Sequence, residues 1–271
     1  AGLLGNLAAM LLGIEYRVFI FQGEVWASKQ GAIRHVLKLC DRITAACSTH
    51  VLAVSRSEKQ LLVSEEILPD QRLEVLGSGT ICGVDCDRFK ENLDIRKDVR
   101  QALGISENQV VCLFVGRITK DKGIHTLLAA FSDAAEICEN LVLLTVGPEE
   151  EIRCSELRLK LGTLNSRFFS VGYTERPEDY MAAADFLCLP SFREGFGMVV
   201  LEAAAVGIPS IASNIPGLVD AVDGGKAGVL VEVGNIQALT SAMLNLSNNK
   251  KERLRIASIA QERVYQDFDQ E

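Results

Sequence analysis

Between residues 110 and 231, short apolar runs of strand length alternate with helical patterns, and this alternation constrains the fold most. Strands are predicted at 110–116, 141–147, 167–172, 185–190, 209–212 and 228–231, and helices at 124–137, 149–161, 177–184, 197–206 and from 236 to the C-terminus. Strands this apolar must be covered on both faces, and helices separate them. The pattern therefore predicts a Rossmann-like domain with a parallel sheet over residues 107–250.

Residues 1–76 carry the same rhythm more weakly. Helices are predicted at 3–12, 29–40 and 57–67, and strands at 16–21, 42–47, 51–54 and 72–76. Four strands are too few for a second complete doubly wound domain. We therefore predict a partial Rossmann-like domain, with a linker at 77–109, over residues 1–106. Residues 251–271 are predicted to form a C-terminal helix.

Charge and cysteine content narrow the function classes. The net charge is −8 in 271 residues, which argues against a general nucleic-acid binder. Most of the eight cysteines lie in apolar patterns and the three histidines are not close to the cysteine pairs, so we expect reduced, mostly buried thiols and no zinc site. Residues 1–14 are apolar but too short to cross a bilayer. We expect a cytoplasmic protein.

A basic loop follows the first predicted strand of the 107–250 domain. Gly116 ends that strand, and Arg117 and Lys122 project from the loop, where two cations could neutralise a diphosphate. Ligands of open α/β sheets bind at the carboxyl ends of strands, where this loop lies. The alternative is a solvated basic loop ahead of a helix.

The stretch PSFREGFGMVVLE, residues 190–202, places two carboxylates around an apolar helix start. Gly195 and Gly197 permit a ligand to approach closely, and the helix start offers free N–H groups to an anion. Glu194 would repel that anion and suits the hydroxyl groups of a neutral moiety. Glu202 has apolar neighbours, where a carboxylate is costly unless donors such as ribose hydroxyls reach it. A solvated helix face is the alternative for Glu202.

A third strand end carries Gly172 and Tyr173. Because Gly172 has no side chain, a ligand's base could approach the backbone closely here. An ordinary turn at the end of the strand is an equal alternative.

These residues lead to a family resemblance. Glu194-x7-Glu202 resembles the signature of retaining glycosyltransferases of family 4, which have the GT-B fold. FVGRITKDKGI, VGYTERPEDYMAAADFLCLPSFREGFGMVVLEAAAVGIPSIASNIPGLVDAV and GKAGVLVEVGN resemble that family in the same order, across residues 110–250. DRITAACSTHVLAVSRSE and GSGTICGVDCDRF are similar to its N-terminal part. Within that family, these stretches look most like the capsule and lipopolysaccharide branch, which usually uses UDP-sugars.

The resemblance implies a fold and a reaction. The fold is α/β of the GT-B type, with a complete C-terminal and a partial N-terminal Rossmann-like domain. The reaction moves a hexose or N-acetylhexosamine from a UDP-sugar to a lipid-linked or glycan acceptor in surface polysaccharide synthesis. The anomeric configuration is retained through an oxocarbenium-like transition state. Because cations and a helix end neutralise the leaving diphosphate, neither a divalent metal nor another cofactor is expected.

The resemblance also implies residue roles. Arg117 and Lys122 would hold the donor diphosphate and stabilise the leaving group, and Glu194 would contact sugar hydroxyls. The implied donor-binding residues are Gly116, Tyr173, Gly195, Phe196, Gly197, Met198, Val199 and Glu202.

Two departures from the family stand out. Gln22 occupies the position where relatives usually carry a histidine near the acceptor, and glutamine cannot titrate near neutrality. Residues 1–24 resemble the middle of the family's first domain, and the sequence stops at YQDFDQE, where the family usually continues with a further helix. We therefore expect a chain truncated at both ends. Nearby Trp26 is predicted to pack in the core rather than to line an acceptor surface.

Because of these departures, alternatives to sugar transfer remain for this chain. The chain could bind a nucleotide-sugar without transferring the sugar, or, with less support from the motifs, act as a nucleotide-sugar epimerase. A partial sheet exposes an edge and apolar surface, which predicts self-association. Residues 29–40 form either a basic, apolar face for peripheral contact with the inner membrane or a plain solvated amphipathic helix.

Overall fold

The chain forms two compact units in a computed structural model that describes residues 2–80 and 82–270. The first unit comprises residues 1–81, 193–197 and 215–220, and the second comprises 82–192, 198–214 and 221–271. The sequence placed the boundary after residue 106, whereas the compact units divide after residue 81. The difference arises because 82–106 pack with the second unit.

A three-stranded parallel sheet forms the centre of the first unit. Its elements are α1 (Gly2–Leu11), β1 (Val18–Phe21), α2 (Gly31–Cys47), β2 (His50–Ala53), α3 (Arg56–Ser64) and β3 (Leu73–Glu74). The strands lie in the order β1-β2-β3, with Val18 opposite His50 at the start of the first pair. Trp26 is 1% exposed and belongs to the core of this unit, as predicted.

The predicted strand at 42–47 is wrong, because these residues continue α2. Ile43 and Thr44 are β-branched and favour a strand locally. The helix instead buries Thr44, Ala45 and Cys47 on one face. The hydroxyl of Thr44 donates to the carbonyl oxygen of Cys40 at 2.8 Å, a bond between successive turns. Tertiary burial therefore overrides local propensity here.

A six-stranded parallel sheet forms the centre of the second unit. The elements are α4 (Leu93–Leu103), β4 (Val110–Val115), α5 (Ile124–Ile137), β5 (Leu141–Val146), α6 (Cys154–Leu161), β6 (Phe168–Gly172), α7 (Pro177–Ala183), β7 (Phe186–Leu189), α8 (Met198–Val206), β8 (Ser210–Ser213), β9 (Val229–Val231), α10 (Ile236–Asn248) and α11 (Lys250–Asp267). One further turn of helix, α9 (Leu218–Ala221), lies between β8 and β9 in the chain. The strand order is β6-β5-β4-β7-β8-β9. Strands β4, β5, β7 and β8 are almost wholly buried, which confirms the sheet predicted from their apolar runs.

Three segments of this unit differ from the prediction. Residues 93–103, interpreted as linker, form α4, which Asn92 caps by accepting from Ile95 N at 3.0 Å. The helix predicted from 149 begins only at Cys154, because the preceding residues bond to the backbone of Ile118. The long C-terminal helix is divided at Asn249, whose side chain caps α11.

Candidate functional site

The topological switch point of the six-stranded sheet lies between β4 and β7. From β4 the chain winds outward through β5 and β6, then returns to β7 on the other side and continues through β8 and β9. Ligands of open α/β sheets bind at the carboxyl ends of the strands at such a point. The loop that carries Arg117 and Lys122 follows β4, and the PSFREGFG stretch begins at the end of β7. The basic loop and residues 190–192, at the start of the PSFREGFG stretch, therefore flank the switch point.

The loops after β4 and β7 are fastened together. Gly123 has φ +72°, and a Cβ at this position would overlap the carbonyl oxygen of Pro190. The backbone N–H of Phe192 donates to the carbonyl oxygen of Asp121 at 2.8 Å. Glycine is required at 123 both for its conformation and for this close approach. The contacts fix the position of the loop that carries Lys122.

Arg117 is held by carboxylates at this edge of the sheet. Its guanidinium donates to Glu150 at 3.0 Å and lies 3.7 Å from Asp121. The side chain is half exposed, so both ion pairs are weak. An anionic ligand can therefore compete for the guanidinium without a large loss of protein contacts.

Glu202 is half-buried on α8, among the buried residues Leu201 and Ala203. Burial raises the pKa of its carboxyl, the positive charge of Arg88 lowers it, and the negative charge of Glu178 raises it. Arg88 donates to the Glu178 carboxylate at 2.9 Å. A carboxylate placed in this way gains most from hydroxyl donors supplied by a ligand.

Arg88 and Glu178 were not singled out by sequence reasoning. Both occur in stretches that carried the family resemblance, GVDCDRF and RPEDY. Their spacing of 90 residues gives no local signal of an ion pair, so only the fold reveals that they set the charge environment of Glu202.

Glu194 and the glycines after it belong to the first unit. A Cβ on Gly195 would lie 3.1 Å from the carbonyl oxygen of Gln22, so the backbones of these residues are in direct contact. Phe196 is 5% exposed and would contact a Cβ on Gly79. The predicted helix start is confirmed within one residue, since α8 begins at Met198 after Gly197, with Val199 in its first turn.

Gln22 is exposed at the end of β1, and Gly23 and Glu24 follow it. Glu24 is 7% exposed, and burial raises the pKa of its carboxyl to about 9, with a hydrogen bond to Asp41 as the next cause. Asp41 also accepts from the indole N–H of Trp26 at 2.7 Å. Sequence reasoning missed this pair of a buried and a half-buried acid, because a charged residue in a short polar stretch usually marks a solvated loop.

Tyr173 is not part of a packed cluster. It follows β6, the outer strand of the sheet, and is 73% exposed. Two strands separate β6 from β7 in the sheet order. Its role toward a base stays a prediction.

The burial of the thiols agrees with the expectation from composition. Six of the eight cysteines are buried, namely Cys47, Cys86, Cys112, Cys138, Cys154 and Cys188. Within residues 2–80 and 82–270, no group of three or more His, Cys, Asp or Glu side chains could hold a metal ion. No helix in the described parts of the chain is both long and apolar enough to span a bilayer.

Comparison with known proteins agrees with this geometry. The family model described as "Glycosyl transferases group 1" matches residues 95–263. The capsular polysaccharide biosynthesis glycosyltransferase CapM of Staphylococcus aureus is 30% identical over 99% of this chain and 70% of its own length. A UDP-Gal:alpha-D-GlcNAc-diphosphoundecaprenol alpha-1,3-galactosyltransferase of Escherichia coli is 27% identical over 92% of this chain. The chain spans 64% of that enzyme's length.

A solved structure shares the fold. Anabaena Alr3699/HepE in complex with UDP-glucose superposes with a TM-score of 0.83 at 22% identity, over 99% of this chain and 72% of that chain. The two parallel sheets and this likeness define an α/β protein of the GT-B fold. With the family match over more than half of its residues, the chain belongs to the group 1 glycosyl transferases.

Proposed function

We propose that this chain is the donor-binding and catalytic part of a retaining family 4 glycosyltransferase of surface polysaccharide synthesis. It moves a hexose or N-acetylhexosamine from a UDP-sugar to a glycan or lipid-linked acceptor. The observation that most supports this proposal is made at the switch point. There the loops after β4 and β7 are hydrogen-bonded to each other, and Arg117 and Lys122 lie at the carboxyl edge of the sheet. The printed names of CapM and the galactosyltransferase support polysaccharide synthesis, and that of the HepE complex supports a UDP-sugar.

In the proposed mechanism, charge stabilisation of the leaving group is the main contribution. Arg117 and Lys122 neutralise the diphosphate as the glycosidic bond breaks, and this electrostatic term lowers the barrier without a metal. Glu202 accepts from the ribose hydroxyls and so fixes the nucleoside. Glu194 accepts from sugar hydroxyls and orients the ring. An acceptor hydroxyl attacks the anomeric carbon from the face that the diphosphate leaves and passes its proton to the departing diphosphate. Attack from that face retains the anomeric configuration.

The donor assignment is tested by calorimetry with UDP, GDP and ADP, followed by UDP-glucose, UDP-galactose and UDP-N-acetylglucosamine. We expect UDP to bind more tightly than GDP and ADP, with a Kd below 1 mM. Equal or weaker binding of UDP would exclude it as the donor nucleotide. Retention is tested on the product by the anomeric proton coupling in NMR.

Nucleotide-sugar binding without transfer is the second candidate, and exposed Gln22 at the family's histidine position favours it. The two candidates differ in turnover. If UDP-sugars bind but no UDP is released with any glycan or lipid-linked acceptor, the binding function is the correct one. Release of UDP with formation of a glycoside establishes the transferase.

A further inference from the structure

Three glycines from distant parts of the sequence meet in the first unit. Gly23 follows β1 with φ +88°, and a Cβ on it would lie 2.7 Å from the carbonyl oxygen of Glu194. A Cβ on Gly217 would overlap the carbonyl oxygen of Gly195. The backbones of the three segments are therefore packed without room for side chains, and Glu194 and Gly195 lie between the other two.

Glu58 holds the first of these segments. Its carboxylate accepts from the backbone N–H of Gly23 through one oxygen and from that of Val54 at 3.1 Å through the other. The side chain of Ser55 caps α3 by accepting from Glu58 N at 3.0 Å, which fixes the first turn that carries the carboxylate. Glu58 is 1% exposed, so these backbone N–H groups take the place of water around its carboxylate. The carboxylate thus ties Gly23 to the end of β2.

The same helix start holds the third segment. The backbone N–H of Ser57 donates to Asp220 at 2.9 Å, and the Ser57 hydroxyl also donates to Asp220. That hydroxyl oxygen accepts from the backbone N–H of Gly217 at 2.8 Å. The first turn of α3 therefore anchors both segments that enclose the backbone of Glu194 and Gly195.

We infer that Glu58 is a positioning residue for sugar transfer: by fixing Gly23, it sets the backbone of Glu194 and Gly195 in the position that the reaction requires. The inference rests on the proposed role of Glu194. Glu58 itself faces backbone donors rather than the surface, so it acts through the loop. Because a misplacement of about 1 Å can cost about 100-fold in rate, a loosened loop should lower kcat while leaving nucleotide binding largely intact.

The test compares Glu58→Gln with Glu65→Gln in the full chain. In the first variant one of the two backbone N–H groups faces an amide NH2 and loses its acceptor. Glu65, at the C-terminal end of α3, is ion-paired with Arg34 at 2.7 Å and Lys38 at 2.8 Å, so its variant also loses charge contacts but leaves Gly23 alone. The measurements are UDP affinity by calorimetry, UDP release from the UDP-sugar that the wild type consumes fastest, and hydrogen exchange of the peptide over 190–198.

For Glu58→Gln we expect kcat to fall roughly 10- to 100-fold, UDP affinity to change less than about threefold, and exchange over 190–198 to accelerate. Glu65→Gln should change none of these. Equal loss of kcat in both variants, or unchanged exchange in Glu58→Gln, would overturn the inference.

Two further experiments test the inference if Glu58→Gln does not fold or if the wild type is inactive. If Glu58→Gln does not fold, Gly23→Ala displaces the same loop directly and is expected to give the same pattern; unchanged kcat there rejects the inference. If the wild type neither binds UDP nor releases it from a UDP-sugar, the proposed function fails. Hydrogen exchange then still decides whether Glu58 controls the 193–197 segment.

Discussion

The guanidinium of Arg100 donates to the carboxylate of Asp185 at 2.8 Å, and its side chain is 1% exposed. It also donates to the carbonyl oxygens of Ala183, Ser106 and Gln109 at 2.9, 3.2 and 3.0 Å. A charge buried this deeply is tolerated because a carboxylate and three carbonyl oxygens accept from it. The contacts fasten α4 to the start of β7, the strand that borders the switch point.

Arg100→Met should therefore destabilise the protein by about 3 kcal/mol, because three backbone carbonyl groups lose their guanidinium donor and Asp185 loses one of the arginines that donate to it. Urea unfolding followed by circular dichroism measures the change. Arg255→Met is the matched control, since among the described residues Arg255 pairs only with Glu252 of the same helix, at an exposed position. Its unfolding midpoint should not move. Equal midpoints for the two variants would contradict a structural role for Arg100.

The helix that carries Arg100 also shows what the sequence could and could not predict. Helix α5 was predicted with its observed bounds, Ile124–Ile137, because a buried helix between two buried strands has a strong apolar pattern. Helix α4 was missed although Asn92 and Gly104 are typical capping residues, because its most important contact is a polar one to a residue 85 positions away. The same reason hid Glu58, whose partner Gly23 lies 35 residues away. The spacing of apolar residues can be read from a short stretch of sequence. The pairing of buried polar groups depends on which distant residues the fold brings together.

Lys122→Ala should weaken UDP binding and lower the rate of UDP release by about 100-fold, because the diphosphate loses a fixed cation. Arg117→Ala should act in the same direction but more weakly, since that guanidinium is half exposed and shared with Glu150. Calorimetry and a UDP-release assay measure the two effects. Lys120→Ala, an exposed cation of the same loop, is the control and should behave as the wild type. A Lys120 effect as large as that of Lys122 would indicate only general attraction by a basic loop.

Glu202→Gln should reduce the preference for UDP over 2′-deoxy-UDP, because an amide has one acceptor oxygen where the carboxylate has two. A carboxylate hydrogen bond of about 1.5–3 kcal/mol corresponds to roughly 10- to 150-fold in affinity. The measurement is the ratio of the two dissociation constants in wild type and variant. An unchanged ratio would remove Glu202 from the ribose site. Burial raises the pKa of Glu202, so UDP affinity should also fall as the pH drops through that raised pKa, and this dependence should vanish in the variant.

Glu24→Gln should make the protein more stable at neutral and mildly alkaline pH. In the folded chain the pKa of Glu24 is raised to about 9 from an ordinary 4.5, so the folded state keeps a proton that the unfolded state releases. Stability from this group is therefore complete below pH 4.5 and declines as the pH rises toward 9, by up to about 1.4 kcal/mol per pH unit. The amide retains a donor for Asp41 and removes the titration.

Thermal unfolding of wild type and Glu24→Gln at intervals from pH 5 to pH 9 checks this. The difference in Tm between the proteins should widen steadily with pH. Glu15→Gln serves as the control, because Glu15 is an exposed carboxylate of the same unit and its variant should follow the wild type at every pH. A constant difference between Glu24→Gln and wild type would mean that Glu24 is ionised in the folded protein.

We predict that the chain self-associates through the exposed face of α2, and that Val36→Glu abolishes this association. Helix α2 exposes an apolar stripe, with Ile33 at 56%, Val36 at 58% and Leu39 at 55%, and in the described part of the chain β1 pairs only with β2. An unpaired strand edge and exposed apolar side chains each favour association with a second copy. Light scattering coupled to size-exclusion chromatography over a range of concentrations measures the mass.

Leu159→Glu, at an 83% exposed position of the second unit, controls for added charge and should leave the mass unchanged. A wild-type chain that stays monomeric at the highest concentration would contradict the prediction, and binding of that monomer to anionic vesicles would assign the stripe to a membrane surface instead.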